Sequence, residues 1–239
     1  MLVRSQALVL HQIPYSDAFS VVHLYTREFG RQAYLLTRNH KNSRLRQSLF
    51  QPLSLIEYEA DHKGSRELQR IKEARCLYAF TGIPMDPVKN AIALFLSEVL
   101  YRALEESDSN EALFEYLVQS VQILDLCKQG TANFHLVFLI KLTRYLGFYP
   151  NLDENAPGKH FDLQAGTFCA LRPFHNAWLS PEDAQGFAVL LRINYENMPA
   201  FRYDRHQRQR ILRQTLDYYR LHLSEFPRIK SLDVLQELF

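Results

Sequence analysis

Cysteine and glycine are scarce in this 239-residue sequence, and tryptophan occurs once. The three cysteines, Cys76, Cys127 and Cys169, are too far apart for a CxxC pair, and their odd number excludes a complete disulfide framework. This usage is typical of proteins in a reducing cytoplasm. The eight glycines are nowhere spaced as a GxGxxG or P-loop motif, so the sequence predicts no glycine-rich phosphate cradle.

Long hydrophobic runs are also missing. The longest wholly apolar run covers residues 91–96, far below the roughly 20 residues that a transmembrane helix needs. The apolar run at residues 7–10 is too short for the core of a signal peptide. We therefore expect a soluble cytoplasmic protein that has no membrane partner.

Charge is distributed unevenly along the chain, although the net charge is only +2. Residues 1–80 contain 12 Lys and Arg against 7 Asp and Glu, residues 81–199 contain 8 against 14, and residues 200–230 contain 8 against 3. Two basic regions therefore flank an acidic middle. This distribution indicates contact with polyanions at particular places, because a uniformly basic surface would spread its positive charge along the whole chain.

The first 80 residues have the short apolar and alternating runs that are typical of strands. Such runs occur at residues 7–10, 19–26, 32–37 and 53–58 and, more weakly, at residues 68–74. Their length, composition and spacing predict a small barrel or sandwich. Several of the runs are apolar on both faces, so we expect the outer face of this barrel to pack against a second domain.

After residue 80 the hydrophobic period becomes that of helices. Helices are predicted at residues 85–106, 110–129, 131–146, 180–192 and 203–223. The pattern is loop-like over residues 150–179. The sequence therefore predicts an α+β protein with an N-terminal β-barrel domain over residues 1–80. An all-helical C-terminal domain follows over residues 81–239, with an irregular or hairpin insertion at about residues 150–179.

One cluster of possible metal ligands, His160, Cys169 and His175, lies in the irregular insertion. Structural zinc sites usually have four ligands in pairs of close spacing, which this cluster lacks. The alternative is a hairpin over residues 161–169 in which the thiol of Cys169 packs as a small apolar group. No enzyme motif is present, so we expect no metal, no cofactor and no catalysis. A hydrolase with dispersed catalytic residues is the enzymatic alternative.

The first basic region contains an interval suited to nucleic acid, because no Asp or Glu occurs between Glu28 and Glu57. The candidate phosphate-binding side chains are Arg31, Arg38, His40, Lys41, Arg44 and Arg46. Their charges would neutralise phosphates and release counterions, which gives affinity without sequence preference. The rings of Tyr34 and Phe50 are expected to stack on bases. The alternative interpretation is a solvated loop that has no ligand.

The second basic region predicts a peptide-binding surface on the last long helix. Arg205, Arg208 and Leu212 share one face of that helix, where arginines extend an apolar stripe. Such a face can receive an acidic peptide with a hydrophobic end. A second face, centred on Asp217, carries charges that can pair with one another. The alternative interpretation of the first face is a core helix with basic ends.

The order of several short segments gives a further indication of function. These segments are residues 7–10, 15–17, 24–31, 49–53, 138–150, 210–213 and 231–232. In this order and at this spacing, the sequence resembles the RecO family of bacterial DNA repair proteins over most of its length. The resemblance implies an OB-fold in the N-terminal domain and a helical C-terminal domain.

The resemblance also implies partners. It implies a protein that binds single- and double-stranded DNA, promotes annealing and, with RecR, helps to load RecA onto strands coated by single-strand-binding protein. The helical domain would recognise the acidic, Phe-terminated tail of that coating protein. Such a mediator acts in the cytoplasm, associated with the nucleoid. Many relatives carry a four-cysteine zinc site after a Leu-Gly turn, but only Cys169 stands in that stretch here, so zinc is not implied.

A different class of function competes with the DNA-binding recombination mediator. It is a non-catalytic protein–protein adaptor that does not contact DNA, in which the basic segment is incidental. A gel shift at low and moderate salt distinguishes the two, because electrostatic binding to DNA is strongest at low salt.

Overall fold

The chain divides into two compact units. The computed structural model describes residues 2–37, 48–63, 66, 68–104, 108–154 and 156–238. The first unit contains Met1–Leu126 and Ile229–Leu235, and the second contains Cys127–Arg228 and Gln236–Phe239. The contacts within the structure therefore place the helices between residues 80 and 126 in the same unit as the N-terminal strands. The change of hydrophobic period in the sequence, taken alone, suggests a domain boundary near residue 80.

Five strands of the first unit close into a barrel. They are β1 (Leu2–Pro14), β2 (Phe19–Thr26), β3 (Gly30–Thr37), β4 (Leu55–Asp61) and β5 (Leu68–Tyr78). Their order around the barrel is β1-β2-β3-β5-β4. The strands pair antiparallel except for β3 and β5, which are parallel. The N-terminal barrel predicted from the sequence is confirmed, and five strands are the number found in an OB-fold.

One face of each strand fills the interior of the barrel. The buried residues of this interior are Ala7, Val9, Val22, Leu24, Tyr34, Phe50, Ile56, Tyr58 and Ala60. Successive side chains of a strand point to opposite faces, so Leu8, Leu10 and Tyr25 point outward. These three are nevertheless at most 1% exposed. The outer face of the barrel is therefore covered, as the apolar character of both faces predicted.

Two helices of the same unit cover that outer face. They are α1 (Pro87–Ala103) and α2 (Glu111–Leu126). Helix α1 begins where the Asp86 carboxylate accepts hydrogen bonds from the first backbone N–H groups. Ser97 of α1 donates a hydrogen bond to the backbone carbonyl of Leu10 in β1. The ring of Tyr25 lies 6.4 Å from that of Phe114 in α2, so both helices contact barrel strands directly.

The second unit is largely helical and contains a small sheet. Its helices are α3 (Phe134–Tyr145), α4 (Pro181–Arg192) and α5 (Arg205–His222). Strands β6 (His160–Asp162), β7 (Thr167–Cys169) and β8 (Trp178–Leu179) form a sheet in the order β7-β6-β8. The pairing of β6 with β7 confirms the predicted hairpin. Because β8 also pairs with β6, the C-terminal region is largely rather than wholly helical.

The start of the last helix, α6 (Ser231–Leu238), is capped by a side chain of the first unit. The backbone N–H groups of Lys230 and Ser231 donate to the Glu98 carboxylate of α1 at 2.9 and 2.8 Å. A carboxylate at this place satisfies donors that have no partner within the helix. The chain therefore returns to its first unit near its end. Within the described ranges, none of the helices has the length and apolar character needed to cross a membrane.

Candidate nucleic-acid interface

The basic segment, defined here as residues 38–46, lies outside the described residues. It contains five of the predicted phosphate-binding residues: Arg38, His40, Lys41, Arg44 and Arg46. Their role therefore stays a prediction. The residues on either side are described. Strand β3 ends at Thr37 before the segment, and the description resumes at Ser48 after it.

The rings of Tyr34 and Phe50 are buried in the interior of the barrel. Tyr34 is 0% exposed and Phe50 is 4% exposed. The Tyr34 hydroxyl lies 2.7 Å from the hydroxyl of Tyr58, and burial raises the pKa of the Tyr34 phenol. Neither ring offers a free face to a ligand. The prediction that they stack on bases is therefore wrong, because both point into the barrel and not towards solvent.

Arg31 is placed on the outer face of the barrel by the turn between β2 and β3. Gly30 has a φ of 60°, a left-handed conformation that favours glycine. The Thr26 hydroxyl donates to the Gly30 carbonyl and accepts from the Phe29 N–H, both at 3.0 Å. Arg31 then pairs in register with the outward-facing Tyr25. The predicted phosphate-binding Arg31 is therefore half-buried on the outer face.

Arg31 belongs to a group that we name the Tyr101 cluster: His11, His23, Arg31, Tyr101 and Arg102. The guanidinium carbons of Arg31 and Arg102 lie 4.5 and 5.0 Å from the centroid of the Tyr101 ring. The rings of His11 and His23 lie 4.8 and 4.9 Å from the same ring. Cation–π contacts at such distances contribute about 0.5–1 kcal/mol each at exposed sites. Three strands and α1 therefore converge on one aromatic ring.

The Tyr101 cluster carries fixed positive charge. Burial, followed by the charge of Arg31, lowers the pKa of His23 to about 4. Burial and the charge of Arg102 lower the pKa of His11, while Glu98 acts in the opposite direction. Both imidazoles are therefore neutral at pH 7, and the two guanidiniums supply the charge. An anion bound here would meet both guanidiniums and would favour protonation of the imidazoles.

Four members of this cluster cannot be identified as a group from the sequence. His11, His23, Tyr101 and Arg102 stand on two strands and one helix, far apart in the chain. The available signal is the register of the strands, because His11 and His23 are direct neighbours across β1 and β2. Tyr101 joins the two histidines because α1 packs on these strands. No pattern in the sequence predicts that packing.

The predicted peptide-binding residues occupy different environments on α5. Arg205 is exposed, and its guanidinium donates a hydrogen bond to the carbonyl of Gln236 at 2.7 Å. Arg208 is half-buried and donates to the carbonyl of Tyr203 at 2.7 Å. Burial lowers the pKa of Arg208. Leu212 is 2% exposed, so its side chain is buried and does not present a surface for the predicted contact with a peptide.

His160, Cys169 and His175 do not converge on a common point. His175 Nε2 lies 3.2 Å from Oδ2 of Asp162, and His160 Nδ1 lies 3.3 Å from the carbonyl oxygen of Leu179. The Cys169 thiol lies 3.9 Å from the His160 carbonyl, across the hairpin. In the part of the chain that the structure describes, no three His, Cys, Asp or Glu side chains are grouped to hold a metal ion.

Comparison with known proteins gives matches over the full length of the chain. Residues 1–80 match the family model "Recombination protein O N terminal", and residues 84–233 match "Recombination protein O C terminal". The chain is 48% identical over 241 residues to the DNA repair protein RecO of Bacteroides fragilis. It is 47% identical over 240 residues to that of Phocaeicola vulgatus, and 34% identical over 242 residues to that of Flavobacterium psychrophilum. Each alignment covers 100% of both chains.

Proposed function

This chain belongs to the RecO family of DNA repair proteins, and on that premise we propose that it binds the DNA backbone and anneals complementary strands. The observation that carries the proposal is the acid-free interval between Glu28 and Glu57. In its described part, Arg31 lies on the outer face of the barrel, within a cluster of cationic charge. Positive charge of this kind binds phosphates whatever the base sequence.

Annealing follows from the same electrostatics. Two DNA strands repel each other through their phosphates, so a protein that neutralises part of this charge brings them together. Contacts to phosphate leave base edges accessible, because backbone contacts do not occupy them. We propose that both single- and double-stranded DNA are bound in this way.

The wider role is that of a non-catalytic recombination mediator. It acts with RecR and single-strand-binding protein to help load RecA, in the bacterial cytoplasm and at the nucleoid. The support for this role is the family membership of the whole chain. The exposed guanidinium of Arg205, with Arg208 one turn further along α5, is the proposed contact for the acidic tail of the single-strand-binding protein.

The proposal is tested by the salt dependence of DNA binding. The variant replaces Arg38, Lys41, Arg44 and Arg46 with Ala, and a short fluorescent single strand is titrated at several salt concentrations. Each lost phosphate contact reduces the slope of log K against log salt by about 0.7 for single strands. Losing four contacts therefore flattens the slope by about 3 and weakens binding most strongly at low salt.

A matched control removes three arginines and one lysine from the acidic middle of the chain. It replaces the exposed residues Lys128, Arg144, Arg172 and Arg192 with Ala and is expected to keep the wild-type slope. If the basic-segment variant binds with unchanged affinity and slope, the basic segment is not the DNA site. If the wild type shows no gel shift at low or moderate salt, the adaptor hypothesis replaces DNA binding.

A further inference from the structure

A cavity of about 740 Å³ opens beside the barrel in the first unit. Its wall includes the residues that follow the basic segment, the start of β4, the end of β5 and the first half of α1. The lining residues that matter here are Ser48, Cys76, Tyr78, Phe80, Asn90 and Leu94. Its volume lies within the range of roughly 300–1,000 Å³ that is usual for small-ligand sites.

Two aromatic rings form part of the wall of this cavity. Tyr78 is the last residue of β5, and Phe80 follows two positions later. Their ring centroids lie 4.9 Å apart with an angle of 50° between the ring planes. Both residues are half-buried, so each ring is held by packing and still reaches the cavity. They differ in this respect from Tyr34, whose ring is enclosed in the barrel.

The chemistry of the wall suits an uncharged, flat ligand. None of the described residues that line the cavity is an Asp, Glu, Lys or Arg. Three of the lining residues are exposed. Ser48 and Asn90 are polar, and Leu94 is apolar. A nucleobase combines two apolar π faces with a polar edge. It therefore matches a wall that has aromatic rings on one part and hydroxyl and amide groups on another.

Positive charge stands close to this wall along the chain. Ser48 stands two positions after Arg46, and two residues span at most about 7 Å. A base is joined to its phosphate through the sugar, so the phosphate of a bound nucleotide stays close to the base site and is stabilised by cations nearby. This charge complementarity favours a nucleotide over an apolar peptide as the occupant, because a peptide would not require the positive charge.

We propose that this cavity, the Tyr78 pocket, takes an unstacked nucleobase of single-stranded DNA against the rings of Tyr78 and Phe80. The inference rests on the proposed function, because it presupposes that the chain binds DNA. It adds a preference for single strands, since the bases of a duplex are already stacked and paired. Stacking on an aromatic ring tolerates any base, so the pocket does not require a particular sequence.

The first experiment separates base contacts from phosphate contacts. Fluorescence anisotropy measures binding of an oligothymidine and of an abasic strand of the same length to wild type and to Phe80→Leu. Leucine keeps apolar bulk but has no π face. We expect Phe80→Leu to weaken binding of the oligothymidine about tenfold and to leave binding of the abasic strand unchanged. Phe174→Leu, at an exposed ring of the second unit, is the control and should bind both strands as the wild type does.

A second experiment uses the unmodified protein, so it does not depend on the folding of a variant. Cys76 is an exposed thiol in the wall of the Tyr78 pocket, whereas Cys127 lies in the second unit. Alkylation of each thiol is followed by mass spectrometry with and without saturating oligothymidine. The strand should slow alkylation of Cys76 at least several-fold and leave the rate at Cys127 unchanged.

The possible results have distinct meanings. If Phe80→Leu binds the oligothymidine as tightly as the wild type, or loses affinity for both strands equally, the pocket is not a base site. If saturating DNA leaves Cys76 fully reactive, the inference is overturned and another occupant, such as an apolar peptide, uses the groove. If the wild type binds neither strand, the proposed function fails, and the inference fails with it.

Discussion

At the scale of single residues, His135 shows how burial links a side chain to acid stability. It lies on α3 and is 1% exposed, and burial, with the charge of Arg208 as a second cause, lowers its pKa to about 3. Above pH 6.5 the side chain is neutral in both the folded and the unfolded chain. Between pH 6.5 and 3 only the unfolded chain binds the proton, so the free energy of unfolding falls as the pH falls.

This linkage predicts a measurable loss of stability. At pH 5 the protonation of His135 in the unfolded chain costs about 2 kcal/mol. Urea unfolding of wild type and His135→Leu at pH 7.5 and pH 5.0 measures it, because leucine cannot titrate. The difference between the two pH values should be about 2 kcal/mol smaller in the variant. The matched substitution His206→Leu, at an exposed residue of α5, should leave that difference unchanged, and equal behaviour of the two variants would contradict the prediction.

The candidate site shows what the sequence can indicate about a residue. Charge is visible directly, so Arg31 is identified by the acid-free interval in which it lies, and Arg205 by its place in a segment rich in arginine. Accessibility is not visible in the same way. Tyr34 and Leu212 lie within four residues of arginines in the chain, but their side chains are buried. Several strands are apolar on both faces, so alternation alone does not show which face a ring occupies.

At the scale of elements, the start of α5 depends on a reciprocal pair of hydrogen bonds. The Asp204 carboxylate accepts from the Gln207 N–H at 2.8 Å, and the Gln207 side chain accepts from the Asp204 N–H at 3.1 Å. This capping box satisfies donors at the helix start. We expect Asp204→Ala to lower the free energy of unfolding by about 1 kcal/mol in urea denaturation.

A control for this prediction lies further along the same helix. Asp217 forms a surface ion pair with Arg220, and such pairs contribute about 0.3–0.5 kcal/mol. Asp217→Ala should therefore destabilise the protein clearly less than Asp204→Ala. Equal losses from the two substitutions would show that the cap contributes nothing beyond the removal of a carboxylate.

Most of the elements could be predicted because their signals are local. The start of α4 at Pro181 follows from the capping side chain of Ser180, and β2 (Phe19–Thr26) has the predicted bounds. Helix α6 was beyond this kind of reasoning, since its eight residues hold barely two turns of pattern. Its first backbone donors bind Glu98, a residue more than 130 positions away. Long-range pairing of this kind leaves no periodic trace in the sequence.

At the scale of the whole molecule, the two proposed binding activities belong to different units. The basic segment is part of the first unit, and Arg205 is part of the second. We expect Arg205→Ala to weaken binding of an acidic, Phe-terminated peptide about tenfold, because a charged hydrogen-bond donor is lost. DNA affinity should stay unchanged, and the basic-segment variant should show the opposite pattern.

Fluorescence anisotropy with a labelled peptide from the tail of a single-strand-binding protein, beside a labelled DNA strand, measures both activities. Arg213→Ala, at an exposed arginine of the same helix, is the control and should bind both ligands as the wild type does. A loss of both activities in the Arg205 variant would show that the two ligands share one surface.

The return of residues Ile229–Leu235 to the first unit has a consequence for biosynthesis. A ribosome delivers the barrel strands early, but the backbone N–H groups of Lys230 and Ser231 that donate to Glu98 emerge only after most of the second unit. The first unit is thus begun before the second and completed only after residues 127–228 of the second unit have been made. A nascent or clipped chain that stops before Ile229 leaves that carboxylate without these donors, so the loss of residues 229–235 would destabilise the unit that contains the barrel.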